Sequence, residues 1–201
     1  METLAHHFAT MAYNNAWSNH RLLKACAQLS QTDFATARTG FFPSIKATLN
    51  HSVTVDWYYL DATERSVQGE PPNPEALHFF DPEEPFEACG PLWQAQLGAD
   101  RRLIALCESL TEPLLALPVH LARSFGIQTE PLVRVLAHLF QHQIHHRGQA
   151  HAMLAGTSVK SPQLDEFFCA GEAHLRAADF EELGFSEQKI WGDDTTPLPS
   201  R

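Results

Sequence analysis

Five of the 12 histidines in this 201-residue chain fall in one short run, Ala137-His-Leu-Phe-Gln-His-Gln-Ile-His-His-Arg-Gly-Gln-Ala-His151. His138, His142 and His146 are each four apart. On an α-helix that spacing places successive imidazoles on adjacent turns of one face. Two imidazoles so placed can hold a single metal ion from one helix.

The phase of the run narrows the choice. Leu132, Val135, Leu139, His142, His146, Gln149 and Met153 follow steps of three and four, the pattern of an inward helical stripe. His142 and His146 therefore occupy positions where a core helix would place leucine. Burying polar groups without partners costs about 1–3 kcal/mol each, and a metal ion would satisfy both. His138 lies about 100° from Leu139 around the axis and roughly 12 Å along it from His146. With metal–nitrogen bonds of about 2 Å it cannot readily share their ion, so a supporting hydrogen bond is its expected role. His145 and His151 fall elsewhere on the helix.

Two ligands need a third from another element. His20, His51, His120 and His174 are the candidates. His51 is the strongest on local grounds, in the middle of the most apolar helix; His20 adjoins Arg21 on an expected solvated face, His120 is in a loop and His174 in a polar terminal segment. Three neutral imidazoles with no carboxylate would leave coordination positions open, the pattern of a catalytic ion that acidifies a bound water. Imidazole suits Zn, Ni, Cu or Fe. Such a site is expected to lose its metal below roughly pH 6, where imidazole takes up a proton. Asp56, five residues after His51 and about 140° around the helix, is a candidate second-layer carboxylate. Asn15 lies on an apolar stripe and is expected to have a buried partner. H-E-x-x-H, G-x-S-x-G, P-loop and G-x-G-x-x-G motifs are missing, and Glu75-Ala-Leu-His78 is a single E-x-x-H where a diiron bundle needs two.

The elements that must position these residues are helices. Residues 3–29, 44–65, 91–110 and 129–155 carry helical periodicity, with Thr129 as the expected cap of the last, Glu130 and Pro131 in its first turn, and Gly156 at its end. The second is apolar around most of its circumference and must be buried on more than one side. Residues 66–90 are rich in Pro, Glu and Gly and read as a long crossover. Residues 111–128 hold a loop with a small hairpin, and 163–183 a shorter terminal helix. The expected fold is all-α, a four-helix bundle whose long middle connection lets neighbours run parallel. One domain over residues 1–190 and a polar tail over 191–201 are expected.

Composition excludes some partners. A net charge of −10 and a pI near 5.6 argue against nucleic acid and anionic membranes. No apolar run approaches the ~20 residues of a membrane span. The N-terminus lacks a basic segment followed by an apolar one, and Cys26, Cys89, Cys107 and Cys169 are scattered; free thiols in the cytoplasm are expected.

Several segments together resemble a known family. Tyr13-Asn-Asn-Ala-Trp-Ser-Asn19, Phe41-Phe-Pro-Ser-Ile45, Thr48-Leu-Asn-His51 with Asp56, His142-x-x-x-His146-Arg-Gly-Gln149 and Pro162-Gln-Leu-Asp-Glu-Phe-Phe168 are similar to the DinB/YfiT-like metalloenzymes, over roughly residues 5–185. The resemblance implies an up-down-down-up bundle, a homodimer, and one divalent transition metal ion held by His51, His142 and His146. Zn or Ni is the first expectation; Fe, Mn or Cu would also fit. Members of that family include S-transferases and isomerases that use a low-molecular-weight thiol, and the leading expectation is a metal-dependent enzyme, either such a thiol-dependent S-transferase or a hydrolase that activates a metal-bound water. A non-catalytic bundle braced by its metal is the alternative.

Overall fold

The structure, a computed structural model, describes residues 3–192. Seven helices and one hairpin make up the described chain: α1 (Leu4–Cys26), α2 (Gln31–Ala35), α3 (Ile45–Gln68), α4 (Cys89–Glu108), β1 (Pro118–Arg123), β2 (Gly126–Pro131), α5 (Leu132–Ala155), α6 (Ala173–Leu183) and α7 (Glu187–Trp191). Short polar caps start several of them. Thr3 accepts from the His6 amide, Ser30 from Asp33 and Ser44 from Ala47, each meeting one otherwise unpaired N–H. Gly69 ends α3 at φ 72°, in the left-handed region that a side chain would disfavour.

Side-chain pairs give the bundle its directions. Tyr13 meets Glu108 while Asn19 meets Asp100, so α1 and α4 run antiparallel. Phe8 stacks near Phe140 and Asn15 binds Arg147, so α1 and α5 run parallel. Asp56 meets Gln96 and Glu64 meets Arg102, which makes α3 parallel to α4. His51 meets His142 and Tyr59 meets His138, which makes α3 antiparallel to α5. The order is up-down-down-up, and the long connection between α3 and α4 permits it. The apolar circumference of α3 is covered by α4, α5, α2 and β1 within the same chain.

A polar network crosses the middle of the bundle. Asp100 accepts from Asn15, Asn19 and Gln96 at 3.2, 2.9 and 3.2 Å. Gln96 also donates to Asp56 at 2.7 Å, and Gln143 donates to the other Asp56 oxygen. Arg147 donates to Asn15 and Asn19 at 2.7 and 2.9 Å. All four long helices contribute to this network, and every member is buried.

The network corrects the phase of α5. Its inward centre runs through Leu136, Phe140, Gln143, Arg147, Ala150 and Leu154, all buried, while His142 and Gln149 are half-buried at the edge. The stripe read from the sequence passes over Gln143 and Arg147, which hydrogen bonds to α3 and α1 hold inside.

Two helix starts and one exposed face also differ. α5 starts at Leu132, with Pro131 at its N-cap, because Thr129 and Glu130 are held extended in the ladder opposite His120 and Val119. The ladder outcompetes the local capping signal. The terminal helix begins only at Ala173, because Arg176 donates to the carbonyls of Glu166 and Cys169 and holds the preceding segment irregular. His20 and Arg21 are not on a solvated face. α6 and its approach cover them: Arg21 pairs with Asp179 at 2.6 Å and Glu166 at 2.7 Å, and His20 meets Glu182 at 3.0 Å. Most of the expected polar tail, residues 193–201, lies outside the described residues; Trp191 belongs to α7 and packs near Phe167.

Candidate metal centre

Packing α3 against α5 brings His51 beside His142 and His146. Ring centroids lie 5.0 Å apart for His51 and His142, 4.8 Å for His51 and His146, and 4.3 Å for His142 and His146. One ring nitrogen from each fits in a group whose atoms all lie within 4.8 Å of one another. His51 Nε2 is 3.0 Å from His142 Nε2. His146 is buried, and the other two are half-buried.

Gln149 decides the orientation of His146. Its amide oxygen lies 2.9 Å from His146 Nδ1, and an amide oxygen only accepts, so Nδ1 carries the proton. The Nε2 lone pair then points into the cluster, as a metal ligand requires. Gln149 is held in turn by His145, whose Nε2 is 2.9 Å from its amide nitrogen. Gln149 is three residues after His146 on the same helix, a spacing that brings side chains together. The sequence placed it on the stripe without giving it this role.

An apolar loop closes one side. Phe42 lies 4.4 Å from the His51 ring and 5.4 Å from that of His146. Phe41 is 6.3 Å from His146 and 77% exposed. The segment that ends in the Ser44 cap of α3 therefore also supplies the wall. The loop packs closely on α5 at Gly40, where a Cβ would meet the flexible tip of Met153 at 2.1 Å and the Phe42 carbonyl oxygen at 3.0 Å.

The supporting candidates are placed differently. His138 is exposed, 6.2 Å from His142 and 5.3 Å from Tyr59 between ring centroids; among the described residues no hydrogen bond joins it to the three histidines. Asp56 and Asn15 sit in the central network, where their hydrogen-bond partners are Gln96, Gln143, Asp100 and Arg147 rather than an imidazole. They reach the cluster only through α5, where Gln143 follows His142 and Arg147 follows His146. His120 is in β1, bonded to Thr129, and His174 is exposed. A second group, His20, Asp179 and Glu182, also has ligand atoms within 4.8 Å. There Arg21 and Lys24 already neutralise the two carboxylates, so it reads as the ion-paired seam between α1 and α6.

The chain matches the DinB family over residues 1–176. It belongs to the DinB family. No curated protein matches it.

In this DinB chain the residues suit a divalent cation. Three neutral nitrogen donors converge, one with its lone pair fixed inward, and burial keeps them uncharged. Burial, then neighbouring imidazoles, lowers His142 to about 3 and His51 to about 4; burial also lowers His146, against the opposing bond to Gln149. Lone pairs facing one another at this range repel unless a cation or proton lies between them.

These shifts move the expected pH threshold. An imidazole whose pKa is lowered stays neutral further into acid, so protons compete with a metal for His51 and His142 only near pH 4 and below, and for His146 only below the ordinary imidazole range. Metal content after dialysis should therefore hold through about pH 6 and be lost in more acid solution, by about pH 4 to 3 where His51 and His142 take up protons. Release already complete near pH 6 would contradict the buried three-histidine set.

Proposed function

We propose that the protein binds one divalent transition ion, Zn or Ni first, through His51, His142 and His146, and that it is a metal-dependent enzyme acting on a small molecule as a thiol-dependent S-transferase or hydrolase. The observation that carries this is the convergence of three neutral imidazoles at a half-exposed position with no carboxylate among them. An ion held there would supply Lewis acidity to a thiol or water at its open position.

The chain's own residues do the remaining work. His51, from α3, and His142 and His146, from α5, fix the direction in which a substrate can approach. Gln149 holds His146 in its ligating tautomer. Phe42 excludes water from one side, and exposed Phe41 offers an apolar surface to whatever enters. A neutral ligand set leaves the charge of the ion uncompensated, which favours an anionic fourth partner such as a thiolate or hydroxide.

The competing reading is an ion that only braces α3 against α5. A bracing site is closed by a fourth protein ligand, whereas His51 and His142 are half-exposed and the central network already ties the four helices together. A homodimer, a cytoplasmic location and the lack of nucleic-acid or membrane partners stay part of the proposal. Among the described residues no helix is long and apolar enough to cross a membrane.

Cobalt-loaded protein tests the enzymatic reading. Bacillithiol, mycothiol or glutathione should add a sulfur-to-cobalt absorption band and support metal-dependent transfer to an electrophilic acceptor. An unchanged spectrum, with no metal-dependent turnover on a thiol or on hydrolysable esters and amides, would favour bracing.

A further inference from the structure

A cavity of about 300 Å³ opens between the hairpin and the α3–α5 seam, one turn of α5 from the histidines. That is at the small end of the range for small-molecule sites. Leu121 and Val135, both buried, contribute apolar lining, and Tyr59 and His138 lie toward the histidine cluster. The His138 ring is 5.3 Å from Tyr59 and 6.2 Å from His142.

Arg123 is the informative residue. Its guanidinium donates to the Tyr59 hydroxyl and to Gln128, each at 3.2 Å, and lies over the Tyr58 and Tyr59 rings at 5.4 and 5.9 Å. These contacts fix its direction without neutralising it. Among the described residues no carboxylate is within ion-pairing distance of Arg123. Arg134 lines the same cavity, and its own partner is Glu130 at 3.6 Å. Two guanidiniums and one carboxylate leave one positive charge in a chain whose net charge is −10. A half-buried guanidinium held in place but unpaired matches a planar anion.

We propose that this cavity is a carboxylate subsite, binding the anionic end of an elongated small molecule whose other end reaches the histidine cluster. One surplus charge fits a monocarboxylate rather than a phosphate dianion. Arg134, His138 and His142 follow one another at four-residue steps on α5, each about 6 Å along the axis. The molecule therefore spans roughly 6–12 Å. The link to the histidines rests on the metal reading above; the carboxylate subsite does not.

The first test uses metal-free protein, so it is independent of that reading. Hexanoate, hexanol and hexyl phosphate are titrated into isotope-labelled protein, following amide shifts in β1, β2 and around Tyr59 and His138. Hexanoate should bind about 10-fold more tightly than hexanol, and Arg123→Gln should abolish the preference. Arg123→Lys keeps the charge without the planar fork and should retain a reduced preference. It serves as the test if the glutamine variant fails to fold. Equal binding of hexanoate and hexanol, or a preference untouched in both variants, overturns the subsite. Tighter binding of hexyl phosphate than hexanoate replaces the carboxylate with a phosphoryl group. With zinc-loaded protein, 6-mercaptohexanoate should bind at least 10-fold more tightly than hexanoate. Equal affinities would remove the link to the histidines while leaving the subsite.

Discussion

Replacing Arg147 with methionine should destabilise the protein by about 3–5 kcal/mol, the cost of breaking a buried charge network by removing one partner. Arg147 is 6% exposed and is the guanidinium that faces both buried aspartates. Burial already strains all three: it pushes Asp56 up to about 7 and Asp100 up to about 6, against hydrogen bonds from Gln96, Gln143 and Asn19 and then the charge of Arg147, and it pushes Arg147 down to about 10. Asp100 Oδ1 accepts three hydrogen bonds, but Oδ2 has no partner, so nearby positive charge still matters to this carboxylate. Methionine would fill much of the space yet leave Asp100, bonded to Asn15 and Asn19, and Asp56, bonded to Gln96 and Gln143, without a cation. Urea unfolding should show the midpoint falling at a nearly unchanged slope. Asp100→Asn added to Arg147→Met should recover part of the loss, because it removes a charge that the first substitution left unpaired. A loss below about 1 kcal/mol would show that the network does not carry this charge balance.

His142→Ala should weaken metal binding by more than about 100-fold, since even residues that only support ligands typically account for 10–100-fold. His142 contributes the nitrogen 3.0 Å from His51 Nε2 and its ring lies closest to His146 of the pairs in the cluster. Gln149→Leu should fall between the variant and the native protein, because it frees the His146 tautomer without removing a donor. Competition with a coloured chelator measures both. The stability of the metal-free fold should change little in either variant, because both side chains lie at the edge of α5 rather than in its buried centre. A large loss of stability in metal-free Gln149→Leu would make Gln149 a packing residue instead.

The bundle could be read from the chain because apolar periodicity marks its helices and one long Pro-rich connection permits parallel neighbours, while its up-down-down-up order was what the resemblance implied. The residues of the cluster could be read for a different reason: four-residue spacing joins His142 to His146, and the resemblance implied His51 across some ninety positions. What escaped, Asn15 apart, was the set of polar residues whose partners are distant in sequence. Gln143 and Arg147 lie off the stripe read from the sequence, and only the packing of Asp56, Asn15 and Asn19 against them shows that they are inside. His20 and Arg21 look exposed until α6 folds over them. Thr129 has the chemistry of a cap, but strand pairing with His120 holds it extended. Periodicity assigns polar residues to water; tertiary hydrogen bonds can override it, and no local pattern announces them. Arg123 was invisible for the same reason, since its meaning comes from Tyr59, on a helix 64 residues earlier.

The central claim is that three histidines from two helices hold one ion. Elemental analysis of protein purified without added metal, beside His142→Ala handled identically, tests it most directly. The native chain should carry close to one equivalent of a single transition metal, and the variant close to none. Equal metal content in the two proteins would contradict the site.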